Sequence, residues 1–171
     1  MALKIRHTFD EETFRHSING HEVVLHCHHY MTLTSKLAET FSDLGADQVL
    51  REATEDSIRP VLDSYFAEHN VTLPEERLAI GAEYYAFMGL GLMEVVGVAG
   101  GGQAKLKHSH IDEGWVKKWG NHTKPVNHVT CGFLAAMFAA AFSRPARSYK
   151  AGETASIVMG APESVLVVRA S

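Results

Sequence analysis

Apolar residues recur at spacings of three and four over residues 26–44, where Tyr30, Leu33, Leu37, Phe41 and Leu44 define one face. That period is helical, and Gly45 suits a helix C-terminus. The stripe is expected to face the core, with His26 and His29 on the same side of the helix. A second helix is predicted over 47–70, capped by Asp47, with Val49, Leu50, Ala53, Ile58, Val61, Leu62, Tyr65 and Phe66 as its stripe. Pro60 falls inside that stripe and is expected to kink or split it. Pro74, followed by Glu75 and Glu76, opens a third helix. It carries Leu78, Ile80, Ala82, Tyr84, Tyr85, Phe87 and Met88 and ends at the glycines of 89–91. Tyr84 and Tyr85 are adjacent, so one of them is expected to face a cavity or a partner.

The period then changes to alternation. Residues 92–98 and 103–110 read as a hairpin around Gly100, Gly101 and Gly102. Those glycines lack the lysine and the strand-to-helix context of a phosphate loop. Strict alternation puts His108 and His110 on the face of Leu106, the expected core face. Asp112 is read as the cap of a short helix bearing Trp115, Val116 and Trp119 and closed by Gly120. Asn127 caps the next helix, from His128 to about Phe142, which is apolar nearly all round and therefore central. Strands over 146–159 and 163–169 finish the chain, with a bulge expected at Gly152. Ahead of all this, residues 1–25 read as an N-terminal arm or hairpin turning at Asn19-Gly20. Residues 26–171 then form a single α+β domain, an antiparallel sheet with helices packed on it.

Composition narrows the classes. The 46% hydrophobic content over 171 residues is that of a globular chain, not a disordered one. The net charge is −4, and no basic run suggests nucleic acid. Lys105, Lys107, Lys117, Lys118 and Lys124 read as a solvated face. The apolar run at 132–142 is too short to span a bilayer. Two cysteines make no disulfide framework, and with no leader pattern a cytoplasmic location is expected.

The C-terminal third resembles a known family. Gly132 to Phe138, then Ser143-Arg144-Pro145, Tyr149 to Glu153, Met159-Gly160 and a closing apolar strand are similar to the vinyl-4-reductase domain. The resemblance covers roughly residues 92–170. Relatives include sensor domains of aromatic-responsive transcription activators and small subunits of vesicle-tethering complexes. It implies helices on one antiparallel sheet, a buried small-molecule pocket, and dimerisation. The zinc-bearing sensor relatives use a Cys, a Glu and two further Cys. Matched residue by residue, those positions hold Asn127 or His128, Glu153, Ser156 and Ser164. Only Glu153 keeps its type, and hydroxyls are poor zinc ligands beside thiolates, so that zinc site is not carried over.

Candidate chemistry centres on histidine. Three imidazoles and a thiol occupy His26-Cys27-His28-His29. His26 and His29 on a helix, with His108 and His110 on a facing strand, form a candidate cage for a transition metal such as Zn or Fe. Glu83, Glu94 or Glu113 is available to add a carboxylate. The alternative is that these histidines are unrelated surface or core residues. His128 either faces a pocket or bonds a nearby carbonyl. Cys131 reads as a buried structural thiol and Cys27 as the more reactive one.

Three functions stay open. One is a small-molecule-binding protein, cytoplasmic and homodimeric, whose ligand is hydrophobic or tetrapyrrole-like. Its pocket would lie between the third helix, the hairpin and the His128 helix, with Tyr30, Tyr84, Met88, Trp115 and His128 as ligand contacts. The second is a metal-dependent reductase or hydrolase using the clustered histidines. The third is a dimerisation or assembly subunit. No nucleotide cofactor, nucleic-acid partner or membrane span is expected.

Overall fold

The computed structural model describes residues 2–171, with the side chain of His28 outside the described set. Strands β1 (His7–Asp10), β2 (Arg15–Ile18) and β3 (His21–Val23) form a small antiparallel sheet in that order. Asn19 and Gly20 make the β2–β3 turn, both at positive φ. A further turn separates β1 from β2: the Asp10 carboxylate accepts from the amides of Glu12 (2.8 Å) and Thr13 (3.4 Å). The arm is tied down where the Lys4 amide donates to the Tyr65 hydroxyl (2.7 Å) and the Asn19 side chain donates to the Tyr84 hydroxyl.

Helices α1 (His28–Thr40), α2 (Ala46–Glu68) and α3 (Pro74–Phe87) follow. Helix α1 is oriented opposite to expectation. Its apolar stripe faces out, with Tyr30 62% exposed and Leu37 50% exposed, while Thr32, Ser35 and Ala38 are buried. The buried hydroxyls donate to carbonyls of their own helix, Thr32 to His29 (3.1 Å) and Ser35 to Met31 (3.1 Å). These bonds lie within the helix, and the small size of the residues brings α1 close to α2 and α4. Pro60 sits inside α2 without splitting it.

Strands β4 (Gly91–Val98) and β5 (Gly101–Ser109) form the expected hairpin, and α4 (His110–Trp119) and α5 (His128–Ala141) follow. Strands β6 (Tyr149–Ala155) and β7 (Ser164–Ala170) complete an antiparallel sheet ordered β4-β5-β7-β6. A register shift between Leu92 and Met93 leaves Lys107 as the extra residue on β5. Such a bulge flips every side chain beyond it. His108 therefore points to solvent and Ser109 inward, and His108 does not share the Leu106 face. Ser109, not Asp112, caps α4: its hydroxyl accepts from the Asp112 amide (3.3 Å). The bulge expected at Gly152 lies between Glu153 and Ala155.

Helix α5 is buried along its whole length. It lies against α2, α3 and the inner face of the sheet. Leu62, Ile80, Tyr85, Leu106, Phe133, Met137, Phe138 and Leu166 form the main core around it. Tyr84 and Tyr85 are both buried, contrary to expectation. They diverge, Tyr84 towards Tyr65 and Tyr85 towards Phe133. Trp115, Val126 and Val158 make a separate small core. Among the described residues no helix is long and apolar enough to cross a membrane.

Gly132 lets α2 reach α5. A Cβ there would overlap the Arg51 carbonyl and lie 2.8 Å from Thr54 Cβ. A Cβ at Gly81 would meet only the flexible Met137 side chain. Gly132→Ala is therefore expected to cost about 1–3 kcal/mol, and Gly81→Ala clearly less, measured by denaturant unfolding. Equal losses would contradict this packing.

Candidate functional site

The first turn of α5 gathers a buried polar cluster. Asn127 caps the helix, its Oδ1 accepting from the Thr130 amide (3.2 Å). Its Nδ2 donates to Ser109 Oγ (3.1 Å) and to Asp112 Oδ2 (3.2 Å). Asp112, fully buried on α4, also accepts from Ser164 Oγ on β7 (3.0 Å). Three elements are thus joined through one carboxyl, all of whose hydrogen-bond partners are neutral. Burial pushes the Asp112 pKa up; Ser109, Ser164 and Asn127 oppose that rise.

Glu153 on β6 lies in the same patch. Burial, and then the charge of Asp112, push its carboxyl up to about 7. The hydroxyls of Ser164 and Ser156 and the Asn127 amide act the other way. Even so, neither Glu153 oxygen has a partner in hydrogen-bonding geometry, nor do Asp112 Oδ1 and Ser156 Oγ. Asn127 and Ser164 therefore meet at the Asp112 carboxyl, and Glu153, with Ser156 beside it, lies close enough to feel the Asp112 charge.

His128 is 6% exposed. Arg51 Nε donates to its Nδ1 (3.3 Å), Arg51 Nη2 lies 3.1 Å from the same nitrogen, and Nη1 donates to the Ala151 carbonyl (3.1 Å). Guanidinium offers only donors, so Nδ1 accepts and the neutral ring carries its proton on Nε2. Burial first, then Arg51, lower the His128 pKa, consistent with that neutral form. The Nε2 atom is buried and has no partner among the described residues. A cavity of about 330 Å³ opens between α2, the first turn of α5 and β6, lined by Arg51, Lys124, Pro125, Asn127, His128, Cys131 and Glu153 among others. A second of about 250 Å³ shares Arg51 and Cys131 with it.

The ligand residues read from sequence do not converge. His128 lines the cavity. Tyr30 is exposed on α1, Met88 is 46% exposed at the end of α3, Tyr84 is in the main core, and Trp115 is in the small core. The space expected to form a pocket, between α3, the hairpin and α5, is filled by core side chains such as Tyr85, Leu106 and Phe133. Of the metal candidates, His26 and His110 approach, ring centres 6.5 Å apart. His29 is exposed, and exposed His108 pairs with Glu113 (3.2 Å). Glu94 lies 3.9 Å from Lys107, and Glu83 accepts from the Leu3 amide. Among the described residues, no group of three or more His, Cys, Asp or Glu is placed to hold a metal ion. Cys131 is buried, which pushes its thiol up to about 12. Cys27 is exposed, and the Tyr30 and His29 amides lower its pKa.

No family model matches the chain, and no curated protein matches it. Among solved structures it is similar to the phenol-responsive sensory domain of the transcription activator PoxR, determined with phenol. The TM-score is 0.77 at 14% identity, covering 96% of this chain and 85% of that one. It is also similar to a trafficking protein particle complex subunit 3 from Naegleria fowleri, covalently bound to palmitic acid. There the TM-score is 0.51 at 10% identity, covering 81% of this chain and 95% of that one. These likenesses establish the fold: the α+β arrangement of such sensory and trafficking domains.

The titration of Glu153 has a stability consequence. Its folded pKa lies above the unfolded carboxylate value, so the folded state holds more protons from about pH 4.5 to about 7, and stability falls as pH rises through that window. The lowered His128 works in the opposite direction below its ordinary value. Comparing wild type with Glu153→Gln isolates the first effect. The variant is expected to melt about 2–4 °C higher at pH 8, with the gap closing towards pH 4.5. Parallel melting profiles would contradict the burial of that carboxyl.

Proposed function

We propose that this is a small-molecule-binding protein of the vinyl-4-reductase-like class, with its ligand site in the cavity at the first turn of α5. One observation carries the reading: a single cavity is lined by His128 and Glu153, whose ring Nε2 and carboxyl oxygens are buried without a partner among the described residues. Buried polar groups left unpaired cost free energy, so a ligand that meets both recovers it. The volume is at the small end for ligand pockets and favours a ligand of one or two rings over a tetrapyrrole. The phenol held by the PoxR domain is of that size. Pro125 and Cys131 supply the apolar contact.

Gly152 tests the site. It lines the cavity, and an added Cβ there meets nothing within 4 Å. Gly152→Phe is expected to fold normally and to abolish fragment binding detected by saturation-transfer NMR. Binding that persists in the variant would place the site elsewhere.

The outward stripe of α1 supports a homodimer. Tyr30, Leu33, Leu37, Phe41 and Leu44 are all exposed, and Val24 and Leu25 extend the patch. A standard interface buries about 800 Å² on each side, and a second copy of the chain would supply the same stripe in an isologous pairing. Analytical ultracentrifugation is expected to show a dimer that Leu33→Glu with Leu37→Glu converts to a folded monomer. A monomeric wild type would refute the pairing.

A further inference from the structure

We propose that Arg51 sets the length of ligand the site accepts, its guanidinium acting as a crossbar between two compartments of one trough formed by α2, α5 and β6. The inference rests on the ligand-binding reading above and names the residue that limits the size of the ligand.

Two cavities meet at this side chain. The one at the first turn of α5, about 330 Å³, and its neighbour of about 250 Å³ have Arg51 and Cys131 as shared wall. The guanidinium reaches towards both. Its Nε donates to His128 Nδ1 (3.3 Å), and Nη2 lies 3.1 Å from the same atom; His128 lines the first cavity. Its Nη1 donates to the carbonyl of Ala151 (3.1 Å), a residue that lines the second. The side chain therefore runs from α2 across to α5 and to β6, with a cavity on either side.

The second cavity suits an apolar tail. Gly132 and Ala135 on α5 and Ala151 on β6 line it and leave space by their small size. Its Glu55 and Arg147 are paired with each other (2.9 Å), and the hydroxyl of its Tyr149 is spent on the Ala99 carbonyl (2.7 Å). With the bar in place, the ligand is compact: one ring with a short substituent. Without it, the same ring can carry a longer chain. The acceptors that hold Arg51 are a neutral ring nitrogen and a carbonyl. Shortening the side chain therefore strands no buried carboxylate.

The test is calorimetric titration with phenols carrying straight para-alkyl chains of increasing length. Each buried methylene adds about fourfold in affinity, so affinity rises along the series until the chain meets Arg51 and then stops rising. Arg51→Ala is expected to move that break to longer chains. Members just past the wild-type break should bind the variant at least about tenfold tighter. Ala135→Leu fills the second cavity. It is expected to leave the wild-type break in place and, combined with Arg51→Ala, to return the break to it. Gln48→Trp, from the exposed side of α2, serves as the filler if Ala135→Leu does not fold. A purely structural Arg51 would weaken every member alike and leave the break unmoved. That result, a wild-type series with no break, or a shifted break that the filler does not return overturns the crossbar and leaves the ligand site standing. If no phenol shows binding sensitive to Gly152→Phe, both readings fall.

Discussion

Gly132 has no side chain, and α2 uses the space. The Arg51 carbonyl sits where a Cβ would be, so α2 and α5 meet backbone to backbone there. That contact sets the position of the Arg51 side chain, which reaches one turn back along α5 to His128. The same guanidinium reaches across to β6 through the Ala151 carbonyl. One missing methyl thus places helix, helix and strand around a cavity whose polar groups are held before any ligand arrives. Pre-organised groups of this kind lose little entropy on binding.

The second constraint is electrostatic. Asp112 has no exposure, yet it links α4, α5 and β7 through Asn127 and Ser164. A lone buried carboxylate would be costly; the neutral donors reduce that cost for one oxygen and leave the other unmet. Glu153 sits beside it with both oxygens unmet. The fold tolerates this because α5 and the sheet are otherwise a close-packed apolar core. Strain of this sort concentrates where ligands bind.

Much of the architecture was legible from periodicity. The α5 helix, the central hairpin and the Asn19-Gly20 turn follow from spacing and turn chemistry alone. Helix α1 was not legible in orientation. Its strongest apolar stripe faces outward, because the small residues Thr32, Ser35 and Ala38 allow closer packing and the Thr32 and Ser35 hydroxyls bond carbonyls of their own helix. The bulge at Leu92 and Met93 reversed His108, and alternation cannot reveal an inserted residue. At the site, matching to relatives drew attention to Asn127 or His128, and to Glu153, Ser156 and Ser164. It did not identify Asp112, read as a cap, or Arg51, one charge on an amphipathic helix. A signal for the cluster was present in β7, where Ser164 shares a face with buried Leu166 and Val168. A polar residue at a core period asks for a partner.

The central claim is that His128 presents an unused N–H into a ligand cavity. Nitrogen-15 NMR of the histidine rings tests it most directly, recorded at pH 7 with and without a cavity ligand. The account expects the neutral Nε2–H tautomer for His128, held by Arg51, with its Nε2 resonance shifting on ligand addition while that of His69 stays still. A protonated ring, an Nδ1–H tautomer, or a His128 signal indifferent to ligand would contradict it.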